Sequence, residues 1–284
     1  MIFLALIIGL ILLHLWGADN PLQKDGWFLG WLSRVDALGV LPVVKLVLLV
    51  LLPAIVVQLL LSELEPVLFG VLWIAASVML LLYSFGRGDV QAQRQRYQSQ
   101  CRSGDFEAAY LAATTEQGWA DAAEEVPNAA AVHNLVQRGF LYESYQRWFA
   151  VLFYFLLLGP VGALAYRLLQ IVSKSESATL ARSCLNVVDW VPVRLLAAAF
   201  TLTGDFVHSC DELWLTVSEL SMKPRQALYI VAEAATGDLV ATPDAVDASA
   251  FGNWAAEQNE EYAGLLRRSS ITWIVIVSAL VVVV

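Results

Sequence analysis

The sequence predicts an all-α, polytopic membrane fold with helical segments outside the bilayer. Three observations carry that expectation. Of 284 residues 58% are hydrophobic and 15% charged, against about 45–50% and about 25% in soluble domains, and the mean hydropathy is +0.63. The apolar residues fall in blocks, separated by two polar stretches too long to be turns. Within those stretches the apolar spacing is helical, and no run alternates as a strand would.

The elements follow in chain order. Crossing the hydrocarbon takes roughly 20 apolar residues, and residues 67–85 and 148–166 meet this without a charge. Residues 38–61 form a third span, with Lys45 placed to snorkel and Pro42 and Pro53 as kinks. Residues 1–16 are shorter and lack both a preceding base and a cleavage site, so they read as a retained helix. Residues 271–284 follow Arg267 and Arg268 and read as a C-terminal anchor.

Charge orients the chain. The loop at 62–66 holds two glutamates and no base, whereas Arg87, Arg94, Arg96 and Arg102 follow the third span, so the first faces the periplasm and the second the cytoplasm. A simple crossing by the fourth segment would put Lys174 and Arg182 outside. Two solutions stay open: residues 187–203 cross back, or they and the fourth segment are re-entrant half-helices that break at Gly159-Pro160. The resulting divisions are membrane helices in 1–87 (about 1–16, 38–61 and 67–85), a cytoplasmic helical segment 88–147, a broken helix with the DWVPVRL segment in 148–204, an acidic cytoplasmic segment 205–268 and the anchor 269–284.

In the first polar stretch QAQRQRYQSQ reads as an exposed polar helix and GDFEAAYLAAT as an amphipathic one, with Asp105 or Ser103 as N-cap. A third helix begins at Asn128 after Pro127 and runs into the fourth membrane segment, with His133 on its surface, the alternative being that it faces the cytoplasmic mouth of a pocket. Residues 205–268 carry eleven acids against four bases and helical patterning in DELWLTVSEL, PRQALYIVAEAA and FGNWAAEQNEEYAGLL. The net charge of -9 and the lack of a basic run exclude nucleic acid as a partner. Cys101, Cys184 and Cys210 have no CxxC spacing and read as reduced structural thiols.

Two stretches carry candidate chemistry. ESYQRWFAVLFYFLLLGPVGALAYR places a Gly-Pro break inside an apolar helix bracketed by Glu143, Arg147 and Arg167; such breaks line cavities or pack against protein, the alternative being a simple kink. DWVPVRL places Asp189 and Arg194 in an apolar run, where ionisable groups mark function unless they snorkel. His208, Cys210, Asp211 and Glu212 point to different faces of a helix and make a poor metal set. No GxSxG, HExxH, Walker or GxGxxG motif occurs.

DWVPVRL and LLLGPVGALAYRL, in this order of membrane and helical blocks, resemble the AmpE family of inner-membrane proteins linked to regulation of chromosomal β-lactamase, itself similar to the CobD/CbiB membrane proteins of cobalamin synthesis. The resemblance implies a multi-span inner-membrane protein acting near cell-wall recycling and the β-lactam response. Its implied relatives among the cobalamin enzymes carry acidic and amide residues flanking the broken helix; here Arg147 and aromatics occupy much of the first region and Gln170 to Ser173 follow the break.

The expected function is membrane signalling, not catalysis. A cytoplasm-facing pocket under the broken helix would be lined by Glu143, Arg147, Tyr166, Arg167, Asp189, Trp190 and Arg194, its arginines holding an anionic cell-wall-derived or phosphate-bearing small molecule. Membrane lipid and a cytoplasmic protein are the expected partners, and no cofactor is required. The alternative is an amide-forming or phosphate-handling membrane synthase like adenosylcobinamide-phosphate synthase, the one reading under which Mg²⁺ or a nucleotide would enter.

Overall fold

The structure is a computed structural model that describes residues 1–16, 24–86, 90–116, 119, 128–175, 178–237 and 248–283. Arg87, counted in the orientation above, Pro127 and Val284 lie outside the described residues. Among the described residues there are helices and no strands, so the fold is all-α. The chain forms two compact units, Met1–Gly88 with Gln146–Pro192, and Asp89–Tyr145 with Val193–Val284.

The first unit holds α1 (Ile2–Trp16), α2 (Gly26–Ala37), α3 (Pro42–Leu64), α4 (Val71–Ser84), α7 (Ala129–Ser173) from Gln146 onward and α8 (Thr179–Thr203) up to Pro192. At its centre α4 packs against α1 and against α7, burying Ser77, Val78, Leu81 and Leu82. Gly9 lets α1 approach closely, since a Cβ there would lie 2.7 Å from Leu81. Outward, α1 and α3 present Leu4, Ile7, Ile11, Ile55 and Leu59, the exposed apolar surface of helices whose solvent is hydrocarbon.

Among the described residues three helices are long and apolar enough to cross a membrane by length and composition: Pro42–Leu64, Ala129–Ser173 and Thr179–Thr203. The segment at 67–85 is shorter than expected. Phe69 (φ 55°) and Gly70 (φ 81°) are consecutive left-handed residues, which stop helix propagation and leave 14 regular residues in α4, about 21 Å at 1.5 Å per residue. Lys45 does not snorkel: it pairs with Asp36 of α2, a helix absent from the sequence expectation that docks through Phe28 and Val35, seven residues apart.

The second unit holds α5 (Val90–Arg102), α6 (Phe106–Leu111) with a following π turn (Ala112–Glu116), α7 up to Tyr145, α8 from Val193, α9 (Phe206–Ser218), α10 (Pro224–Thr236) and α11 (Ala248–Val283). Asp105 caps α6 by accepting from Ala108 N at 3.0 Å, and Asn128 caps α7 by accepting from Ala131 N at 2.9 Å; each satisfies an amide that the first turn leaves without a helical partner. α10 packs on α7 and α9, and α5 packs on α11.

Helix α5 is not the exposed polar helix that its composition suggests. Tyr97 and Cys101, one turn apart, are buried, and Gly252 of α11 comes so close that a Cβ would lie 2.0 Å from the Cys101 carbonyl oxygen. Two residues on one face suffice to dock a helix whose other faces stay wet. The helix expected at the end of the acidic segment and the segment expected to be a C-terminal anchor are likewise one element, because α11 runs unbroken for 36 residues.

Candidate functional site

In the first unit, apolar helices enclose a chain of hydrogen bonds between two carboxylates. Asp189 of α8, fully buried, accepts from Tyr166 Oη at 2.9 Å and from Gln146 Nε2 at 3.3 Å. The Gln146 carbonyl accepts from Gln170 Nε2 at 3.2 Å, and the Gln170 carbonyl from Arg167 Nη1 at 2.5 Å. Arg167 Nη2 then donates to Asp25 Oδ2 at 2.9 Å, and Asp25 Oδ1 accepts from Tyr83 Oη at 3.1 Å.

Helix geometry places these groups. Tyr166, Arg167 and Gln170 occupy adjacent turns of α7, and Gln146 lies in the π turn Tyr145–Phe149 inside the same helix. A π turn adds a residue and rotates what precedes it. Between them the helix breaks at Gly159 (φ 74°, ψ −166°), followed by Pro160; only glycine takes that conformation readily. Tyr154, before the break, stacks on Tyr166, after it, with centroids 5.3 Å apart, and donates to the Val188 carbonyl at 2.7 Å. The break is therefore a packed element that holds the tyrosine on Asp189.

Each amide of the chain accepts at one end and donates at the other. Gln170 and Gln146 thus transmit the polarity of the Arg167 guanidinium toward Asp189, and in a low-dielectric interior such bonds strengthen one another. The arrangement holds an anionic group on a guanidinium within a membrane-type interior, with a second carboxylate at the far end. Arg182 donates to the Ser173 and Ser175 carbonyls at 3.1 and 3.0 Å and so caps the end of α7.

Of the residues expected to line one pocket, Tyr166, Arg167 and Asp189 share this network. Arg147 is buried in the same unit, its side chain packed against Gly86, and its carbonyl accepts from Gly86 N at 2.9 Å. Trp190 is half-buried beside Asp189 on α8. Glu143 and Arg194 are engaged within the second unit: Glu143 accepts from Trp119 Nε1 at 2.9 Å, and Arg194 donates to the Thr216 and Glu219 carbonyls at 2.8 and 3.2 Å, closing the C-terminal end of α9. Arg194 therefore does not snorkel.

Asp25, Tyr83, Gln146 and Gln170 were missed. The glutamines left a signal, amides inside or beside an apolar helix, whereas Asp25 lies in a polar stretch 142 residues from its arginine and left none.

Two histidines resolve differently. His133 is buried, not superficial: its Nδ1 bonds Tyr97 Oη at 2.7 Å, and its Nε2 faces Gln258 Oε1 at 2.5 Å. Burial pushes the Cys101 thiol up to about 11. His208 is exposed and bonds Asp205 Oδ2 at 2.7 Å, which lowers the Asp205 pKa. Among the described residues no three His, Cys, Asp or Glu side chains gather as a metal set.

No curated protein and no solved structure matches this chain. The family model described as regulatory signalling modulator protein AmpE matches residues 1–247, which include both candidate stretches and every residue of the buried network. The chain belongs to the AmpE family.

Proposed function

We propose that this chain is a multi-pass inner-membrane regulator linked to β-lactamase induction and cell-wall recycling, and that it responds to an anionic small molecule that competes with Asp25 for Arg167. Membership of a signalling-modulator family supports the regulatory role. The observation that carries the ligand reading is the ion pair itself. A carboxylate already sits on Arg167 at 2.9 Å in a largely buried position, so a free carboxylate or phosphate would meet a partner of the right charge and geometry. Displacing Asp25 would leave Arg167 bonded to Gln170 and alter the polarity reaching Asp189 through the amides, and α8 would register the change. Only a ligand that binds the displaced state better shifts the balance.

The test is β-lactamase induction in cells that express full-length variants. Asp25→Asn removes the competing charge and is expected to shift the response to lower inducer concentrations. Arg167→Gln removes the anchor and is expected to abolish the response, with Arg167→Lys intermediate. Membrane abundance of each variant is measured in parallel. Wild-type dose–response curves for all three variants at equal abundance would overturn the reading.

A further inference from the structure

Helix α9 carries its polarity the wrong way round for a helix in water. Its fully buried residues are Ser209 and Thr216, small and polar, whereas Phe206 (55% exposed), Val207 (76%), Trp214 (73%) and Val217 (40%) face outward. At 100° per residue these four, with the exposed Cys210, form one stripe along the helix. The remaining side bears His208 and Glu212, which line an open cavity of about 1020 Å³ with Asp205, Glu233, Glu261 and Arg268. Helix α9 thus has three faces: small polar residues against the unit, charged residues toward the cavity and large apolar residues toward the outside.

The neighbouring helix indicates what covers the apolar face. The last residue of α8 is Thr203 and α9 begins at Phe206, and Arg194 of α8 reaches the Thr216 and Glu219 carbonyls. The two helices therefore form an antiparallel hairpin in which α9 lies alongside the last turns of α8, a helix long and apolar enough to cross a membrane. Leu202 at the tip of α8 is also exposed, as is Leu220 just past α9, so the apolar stripe continues the outer surface of a membrane-type helix. A tryptophan and a phenylalanine on such a stripe suit the boundary between headgroups and acyl chains.

We propose that α9 is a membrane-contacting helix that seats Phe206, Val207, Trp214 and Val217 in the bilayer, while its charged side faces the open cavity. The acidic stretch after α8 is then not wholly cytoplasmic.

The stripe supplies its own probe. Cys210 lies on it, and with Cys184→Ala and the buried Cys101 retained it is the reactive thiol. A bimane label on Cys210 of the full-length protein, reconstituted in phosphatidylethanolamine–phosphatidylglycerol vesicles, is compared with a label introduced by His208→Cys in a Cys210→Ala background. Doxyl-labelled lipids are expected to quench the position-210 probe several-fold more than the position-208 probe, with aqueous iodide showing the opposite order. Equal quenching by iodide at both positions would overturn the proposal in favour of a solvent-facing helix. A position-210 probe shielded from both quenchers would overturn it in favour of a covering protein surface.

Discussion

In the first unit the groups hidden among apolar helices include a guanidinium and two carboxylates, Arg167, Asp25 and Asp189, joined through amides and tyrosines. The buried chains of the second unit, Tyr97 with His133 and Gln258, and Gln137 with Asn259, are built from neutral groups, and Arg194 there has its charge delivered to the end of α9. Burying ions costs several kcal/mol each even when they are paired, whereas neutral polar groups need only their hydrogen bonds. The first unit thus buries an ion-paired network, whereas the buried side-chain bonds named in the second are neutral and its buried Arg194 is met by backbone carbonyls.

The largest effect that sharpens the contrast comes from Arg167→Met. It leaves the Asp25 carboxylate unneutralised in a mostly buried place, at an expected cost of about 3–5 kcal/mol. Adding Asp25→Asn is expected to restore a large part of that, and thermal unfolding in detergent reads both. If the single and double variants melt alike, the pair is not the electrostatic unit described.

The smallest effect is expected from Gln137→Leu combined with Asn259→Leu. Removing both partners of a neutral buried bond is often close to neutral, so the double variant should stay within about 1 kcal/mol of the wild type by thermal unfolding. A loss comparable to that of Arg167→Met would erase the distinction between the units.

Much of this architecture is legible in the residues. Asp105 and Asn128 announce their caps, Gly159-Pro160 marks the break, and Tyr166, Arg167 and Asp189 stand out as polar groups in apolar runs. His133 was readable too, since Val136, Gln137 and Phe140 share its face and point inward with it. The rest depends on pairing across distance. Nothing local marks Asp25 as the partner of Arg167, and the apolar residues of α9 resemble a core face until the packing shows Ser209 and Thr216 inside instead. Periodicity reveals that a helix has two sides without revealing which one is covered.

The break in α7 has a stereochemical consequence. Gly159 sits at φ 74° and ψ −166°, close to the mirror image of polyproline II, the extended form that a residue before proline ordinarily prefers. A Cβ built there meets nothing within 4 Å, so the objection to L-alanine is its handedness rather than its size. A D-alanine placed at this position by semisynthesis would fit the backbone as it stands, with less conformational freedom to lose than glycine, and would fix the break in place.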